Sequence, residues 1–340
     1  MRRLSLAIAT ASAAVVALRF PRIMELFSSG AAGSIAAAAC AVLVPPAAGL
    51  AWHRSRRPGA RPSESPTARL LDNRQFVLGT GVVALLTYAA VIAPVLSSFD
   101  PNVQTDLLGA ATLAPSLQHP FGTDFYSRDL FSRMLYGGRW SLGIAFVAVA
   151  LVVAVGTSVG VIAGVTGGIV DSVLMRMVDG GLAIPRVLLL LVVAALWGNL
   201  GFFPLAVLLG LTGWFGVSRI IRAEVLSLKE RTFLAAARAL GISQLRLVVR
   251  HILPNLVAPV TVTAALGVGN IVLIEASLSY LGIGARPPDP GWGNIIREGH
   301  ELIFTAPWIS IFPGAAIFLT VIGFSLVGDG LRTALNPRAS

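Results

Sequence analysis

This 340-residue chain is poor in the residues that most often do chemistry: it has one cysteine, Cys40, one lysine, Lys229, and four histidines. A single cysteine excludes an intrachain disulfide and any cysteine-based metal site. The lone lysine excludes a phosphate-binding P-loop, which needs G-x-x-x-x-G-K-[ST], because Lys229 stands in "LSLKER" with no glycine before it. Any nucleotide must therefore be bound by another subunit. Charge is scarce too, at 12% of residues against 55% hydrophobic, whereas soluble domains carry roughly 25% charge. That balance defines a membrane protein.

The charge that is present is unevenly placed. The chain has 26 basic and 16 acidic residues, and half of the basic ones lie in two short segments, His53 to Arg74 and Arg219 to Arg250. Basic loops between apolar spans mark the cytoplasmic side, so orientation explains the excess better than nucleic-acid binding does. Largely apolar stretches of about 20 residues give six spans at 76–96, 140–165, 172–197, 203–221, 256–275 and 309–329, the third beginning in an amphipathic segment near Asp171. The long apolar run from Val187 is divided by the turn-like "WGNLGFFP" at Trp197 to Pro204. An even number of spans places the segment before Gln75, the loop 219–255 and the C-terminal tail on the cytoplasmic side. Loops 97–139 and 275–308, each more acidic than basic, then fall outside.

Residues 1–70 form an extension: Met1 to Leu18 reads as a signal peptide or as half of an extra helical hairpin with Ala31 to Trp52, and an Arg/Pro-rich linker follows. A start codon assigned too far upstream would also account for it. The remaining divisions are 71–139 for the first core span and its outer loop, 140–332 for the permeation core with loop 222–255, and 333–340 for a tail. The expected fold is an all-α polytopic membrane protein with six core spans.

Catalytic motifs are weak. "GTSVG" at Gly156 to Gly160 matches the G-x-S-x-G nucleophile pattern and would make Ser158 the nucleophile of an intramembrane serine protease. Such an enzyme needs a base at membrane depth, yet His53, His119, His251 and His300 all lie outside the spans. Gly156, Gly160 and Gly164 recur every four residues instead, which suits close helix packing. "HELIF" at His300 lacks the second histidine of a zinc protease motif. Among ionisable residues near the spans, Asp171, Arg176 and Asp179 have the spacing of local pairs on one helix. Glu275 and Asp329 fall near span ends, where water can solvate them.

Two outer-loop stretches are denser in information. "HPFGTDFYSRDLFSRMLYGGRWSLG", His119 to Gly143, offers a turn at Gly122, Thr123 and Asp124, an N-cap candidate in Ser127, and a Gly137-Gly138 stop before a span. "YLGIGARPPDPGWGNII", Tyr280 to Ile296, concentrates Gly, Pro and Trp in a rigid turn. These loops, with Arg128, Asp129, Arg133, Pro287, Pro288, Trp292 and Gly293, are either structured interfacial segments or elements of gating and partner docking.

The cytoplasmic stretch "FLAAARALGISQLRLVVRHILPN", Phe233 to Asn255, has the helix, glycine turn and helix of a DNA-binding motif. Flanking spans leave it little freedom to enter a groove, so a coupling element fits better than a membrane-tethered regulator. Its second helix sets Leu245, Val248, Val249 and Ile252 in an apolar stripe beside Arg246 and Arg250, and Pro254 opens the next span.

These residues resemble a known family. "AAARALG", nine residues and "HILP" are similar to the coupling loop of binding-protein-dependent ABC importer permeases: Ala236, Ala237, Gly241, Leu253 and Pro254 fit, Ala235 stands for the usual Glu and His251 for the Ile. "FGTDFYSRDLFSRMLYGGRWSL", with Ser127 where Gly is usual, "LGIGARPPDPGWG" and "FSLVGDGLRTALNPR", with Asn336 for Asp, resemble the C-type permeases of dipeptide, oligopeptide and nickel importers over residues 75–338. The resemblance implies a bacterial inner-membrane subunit with a cytoplasmic C-terminus. It would pair with a homologous B-type permease, two ATPase subunits and an extracytoplasmic binding protein, embedded in membrane lipid and touching no nucleic acid. It also implies that this chain holds no cofactor and that ATP and Mg bind the ATPases. The coupling contacts would come from Ala236, Ala237, Arg238, Gly241, Arg246, Arg250, His251, Leu253 and Pro254. Cargo would be short peptides, with nickel as the alternative.

Overall fold

A computed structural model describes residues 66–335 apart from 105, 107, 108, 199 and 286. The extension over 1–65, including Cys40, and the tail from Asn336 lie outside the described residues. A short helix α1 (Pro66–Asp72) leads to α2 (Arg74–Val91), which Asn73 caps by accepting from the Phe76 N–H. Ile92 and Pro94 interrupt the helix before a last turn, α3 (Ala93–Leu96). Then follow α4 (Leu130–Thr166), α5 (Gly168–Ala183), α6 (Arg186–Trp197) and α7 (Phe202–Lys229). Helix α8 (Thr232–Ala239) and the four-residue α9 (Gln244–Leu247) precede a π-helical turn, Val248–Ile252, that runs directly into α10 (Leu253–Tyr280). The last elements are α11 (Trp292–Gly299) and α12 (Trp308–Leu335). No strand occurs among the described residues, only an isolated bridge between Thr123 and Asp129.

Among the described residues five helices are long and apolar enough to cross a membrane, and α5 with α6, bent by 80° at their junction, has the length and composition of a sixth, broken span. The expected spans are therefore present with two changes. The second begins at Leu130, because Gly137 and Gly138 are helical and not a stop. At ~1.5 Å per residue its 37 residues reach about 55 Å, well beyond the ~30 Å hydrocarbon core, so its first turns stand clear of the apolar layer. The third span breaks at Ile184 and Pro185, where a proline removes a helical donor.

Lipid tails are as apolar as leucine, so helices associate in a membrane by close packing and not by leaving water. The α4–α7 pair shows how. An added Cβ at Gly156 would lie 2.8 Å from Val217 Cβ, at Gly160 2.6 Å from the Ser218 carbonyl oxygen, and at Gly164 2.8 Å from Val225 Cβ. Gly210 of α7 makes the reciprocal approach to Leu151. Around this spine α2 packs on α12 through Gly79 and Gly323, and α12 packs on α10 through Gly269 and Gly328. The side chains of Ile144, Leu205, Leu209 and Ile221 are fully buried between them.

Gly160→Leu is expected to destabilise the bundle by about 1–3 kcal/mol, the usual cost of overpacking. Its contact is backbone, which cannot move aside as a flexible side chain does. Gly180→Leu is the control, since nothing lies within 4 Å of its added Cβ. Thermal melting in detergent should separate the two, and equal melting temperatures would refute the packing role.

Candidate functional site

At one end of the bundle the loops before α4 and before α12 close into a cap held by buried charge. Asp129 caps α4: its Oδ2 accepts from the Ser132 N–H at 2.8 Å and from the Ser132 hydroxyl at 2.6 Å, while Oδ1 meets His119 Nδ1 at 2.9 Å. The expected cap, Ser127, is displaced from that role. It sits two residues earlier with φ of 60°, in the left-handed region, which explains physically why glycine suits this position in the pattern the sequence resembles. Gly122, with φ of 80°, turns the chain so that its carbonyl accepts from the Leu130 N–H, and Thr123 donates to the Ala110 carbonyl and accepts from the Leu113 N–H.

Asp124 organises the turn by accepting from the Tyr126 and Arg128 backbone N–H groups through Oδ1, leaving Oδ2 for Arg128 Nε at 2.6 Å. Arg133, one turn into α4 and fully buried, stands 3.3 Å from the same Oδ2. Both arginines also reach Glu298 of α11, Arg128 at 2.7 Å and Arg133 at 3.0 Å. Arg133 Nη1 donates further to the Pro101 carbonyl at 3.3 Å and the Pro288 carbonyl at 3.2 Å. Two cations and two anions thus neutralise each other inside the cap, as buried charge requires. Burial pushes the Glu298 carboxyl above its ordinary range, outweighing the opposing pull of Arg133 and Arg128.

Trp292 completes the junction. Its indole donates to the Met134 carbonyl at 3.1 Å and its ring lies on Gly137 and Gly138, whose added Cβ atoms would fall 3.2 and 3.1 Å away. The paired glycines are a seat for this ring. Gly293 lets α11 touch Ala276 and Ser279 of α10, and the exposed cis Pro287-Pro288 forms the tip of the loop. Glu275, expected to be solvated, is instead fully buried and accepts from the Ser279 hydroxyl at 2.7 Å, because the cap covers the end of α10. Asp329 is exposed. Glu298 escaped the sequence reading. Its only signal was a carboxylate two residues beyond the Gly-, Pro- and Trp-bearing turn.

The opposite end carries the helix-turn-helix. Gly241 takes φ of 78° two residues after the end of α8, and the Ile242 N–H bonds back to the Ala237 carbonyl at 3.3 Å, a Schellman stop. Ala237 is buried and Ala236 exposed, and the side chains of Ala235 and Arg238 lie outside the described residues. The predicted apolar stripe divides. Ile252 is buried with Leu247, while Leu245 and Val249 are 74% and 56% exposed. The π-turn is the cause, since it widens the helix and shifts the face that follows. Pro254 stands in the first turn of α10, and the π-turn joins that helix to α9 in one helical path from Gln244 to Tyr280. Ser243, Leu245, Arg246, Val249, Arg250 and Pro254 line an open hollow of about 630 Å³. The His251 ring stands 6.4 Å from that of Phe233, its carbonyl accepts from the Asn255 side chain, and Leu253 is exposed beside it.

Behind this surface α7 is tied to the α4–α5 junction. Lys229 donates to the Gly164 carbonyl at 2.9 Å and the Val165 carbonyl at 3.3 Å, capping the negative end of α4. Asp171 accepts both arms of the Arg222 guanidinium at 2.5 and 2.6 Å, and Asp179 pairs with Arg219 at 2.5 Å. These pairs cross between helices and do not form within α5 as the spacing suggested; arginines of α7 are nearer than Arg176 because α5 folds back along α7. Ser158 is exposed on α4 and its hydroxyl donates to the Ala154 carbonyl at 2.7 Å, within its own helix.

A polytopic helical bundle with an ionic cap at one end and a protruding helix-turn-helix at the other has the build of a transporter permease. Residues 156–340 match the family described as the binding-protein-dependent transport system inner membrane component, and residues 67–120 match the N-terminal TM domain of oligopeptide transport permease C. Among similar proteins is the dipeptide transport system permease protein DppC of Alkalihalophilus pseudofirmus, 39% identical over 274 residues that cover 79% of this chain and 88% of that protein. A Brucella suis protein that carries the name of a peptide permease is 39% identical over 80% of this chain and 89% of its own length. A Brucella abortus protein named as part of a peptide transport system is 38% identical over 82% and 93%. The chain belongs to the binding-protein-dependent transport system inner membrane component family, on its C-type peptide-permease branch. It is a multi-pass permease subunit of an ABC importer, which works with ATPase subunits and a substrate-binding protein.

Proposed function

We propose that this chain is one half of the permeation path of an ATP-driven importer of di- and oligopeptides. It pairs with a B-type permease, and ATP and Mg bind to two ATPase subunits, not to this chain. The hollow beside Gly241 carries the reading: exposed Leu245 and Val249 beside Arg246 and Arg250, on a glycine-stopped helix pair, form a docking surface for an ATPase. The relatives named for peptide and dipeptide transport support the cargo class. Basic loop 219–255 and the C-terminus face the cytoplasm, lipid covers the outer apolar faces, and the ionic cap faces the binding protein.

In this scheme the ATPases draw the two coupling loops together as they close on ATP, and the bundle rocks between inward-open and outward-open states. The cap is rigid, so it moves as one body with the outer end of α4 and α10. This chain contributes no covalent step, and Ser158 serves its own helix.

The test is to purify the chain with its co-assembling subunits and measure ATPase activity in the presence of the binding protein. Dipeptides are expected to stimulate hydrolysis several-fold and nickel salts to leave it at the basal rate. Stimulation by nickel alone would transfer the assignment to metal import.

A further inference from the structure

Arg186 opens α6 at the 80° break in the third span. Its Nη2 donates to the Leu209 carbonyl at 2.8 Å, and it packs so closely on Gly213 that an added Cβ there would stand 2.8 Å from Nη2 and 2.7 Å from Val152 Cγ2. Val152, Leu209 and Gly213 lie well inside the apolar stretches of α4 and α7, so the guanidinium is held at membrane depth. Its Nε is buried with no acceptor, and no carboxylate among the described residues forms an ion pair with it. The two acids of α5 are already engaged, Asp171 by Arg222 and Asp179 by Arg219.

A charge at this depth marks function more often than structure, and non-helical backbone is tolerated there only where it is covered by protein or lines a water-filled path. The side of α6 beyond Arg186 is uncovered, with Val187 45% and Leu188 57% exposed. With Nε buried and one Nη2 hydrogen spent on a backbone carbonyl, the Nη1 and Nη2 end of the guanidinium still offers a pair of donors matched to a carboxylate. Peptide cargo always brings one at its C-terminal end. We propose that Arg186 is a carboxylate-binding residue of the translocation path that receives the C-terminal carboxylate of the cargo as it crosses the break between α5 and α6. This site rests on the peptide-import reading for its ligand. A carboxylate supplied by the partner permease is the competing source.

The test uses radiolabelled dialanine and the complete importer in proteoliposomes fed by the binding protein. Arg186→Gln is expected to slow ATP-driven uptake at least tenfold while binding-protein-stimulated ATP hydrolysis continues, and Arg186→Lys is expected to restore a third or more of the rate. Wild-type uptake by Arg186→Gln would overturn the site, as would loss of the partner permease from the purified variant, which would assign the carboxylate to that subunit. Saturation-transfer NMR on the detergent-solubilised assembly without binding protein then isolates the ligand group. Transfer to dialanine but not to dialanine amide is expected, lost in Arg186→Gln, and equal transfer to both forms would overturn the proposal. Wild-type vesicles that take up no dialanine while acid and amide are still distinguished would sink peptide import and leave the carboxylate site standing.

Discussion

Arg133→Met is expected to destabilise the protein by about 3–5 kcal/mol, the cost of removing one partner from a buried ion cluster and leaving the other charges uncompensated. Asp124 and Glu298 would keep only Arg128, so two buried carboxylates would share one cation. The Pro101 and Pro288 carbonyls would lose their donor at the same time, releasing both loops from α4. At roughly 2–4 °C per kcal/mol the melting temperature should fall by about 10 °C. The double variant Arg133→Met with Glu298→Met is expected to recover most of this loss, because it keeps the Arg128–Asp124 pair and replaces the other by apolar side chains of similar length. A double variant as unstable as the sum of the two singles would show that the charges act independently. Stability measured in detergent decides between these outcomes, and uptake adds whether a recovered cap still works.

The physical sense of that cluster lies in position more than in energy. A buried ion pair competes poorly with packed apolar residues for stability but fixes geometry. Here it joins a turn before α4 to a helix before α12, 165 residues apart in the chain. The tie joins the ends of α4, α10 and α11 into one body, which suits the rocking proposed for the bundle.

How far the chain could be read beforehand follows from the range of each signal. Spans were legible because twenty apolar residues in a row have few alternatives, and the Gly156, Gly160 and Gly164 face because its period repeats. The turn at Gly241 was legible because one residue type suits a left-handed stop. The motif residues from Gly122 to Arg133 were visible as a stretch, but their partner Glu298 lies in another loop, and no local period announces a pairing across that distance. The same limit explains Asp171 and Asp179, whose spacing suggested neighbours on α5 while their partners arrive on α7. The Gly137-Gly138 pair misled for a different reason. Glycine marks both a stop and a close approach, and only Trp292, which seats on it, distinguishes the two.

Gly241→Val is expected to leave insertion and ATP hydrolysis in place while uptake falls at least tenfold. Beyond its chain neighbours no atom lies within 4 Å of an added Cβ at Gly241, so a side chain there starts in open space. The effect of the substitution is confined to the backbone, where φ of 78° strains a β-branched residue by about 1–3 kcal/mol. A strain of 1–2 kcal/mol changes a two-state population by a factor of about 5–30. The relaxed alternative breaks the bond from the Ile242 N–H to the Ala237 carbonyl and lets α8 swing relative to the π-turn. The docking hollow, which lies wholly on the far side of that hinge from Ser243 to Pro254, would then no longer move with α8. ATPases gripping the hollow would then turn α10 without carrying α8 and α7 with it, so the bundle would not rock as one body. Asparagine tolerates the left-handed region, so Gly241→Asn should retain much more uptake than Gly241→Val at similar ATPase rates. Equal uptake by the two variants would place the function of Gly241 elsewhere than in its backbone conformation, and normal uptake by the valine variant would remove the loop from the coupling path altogether.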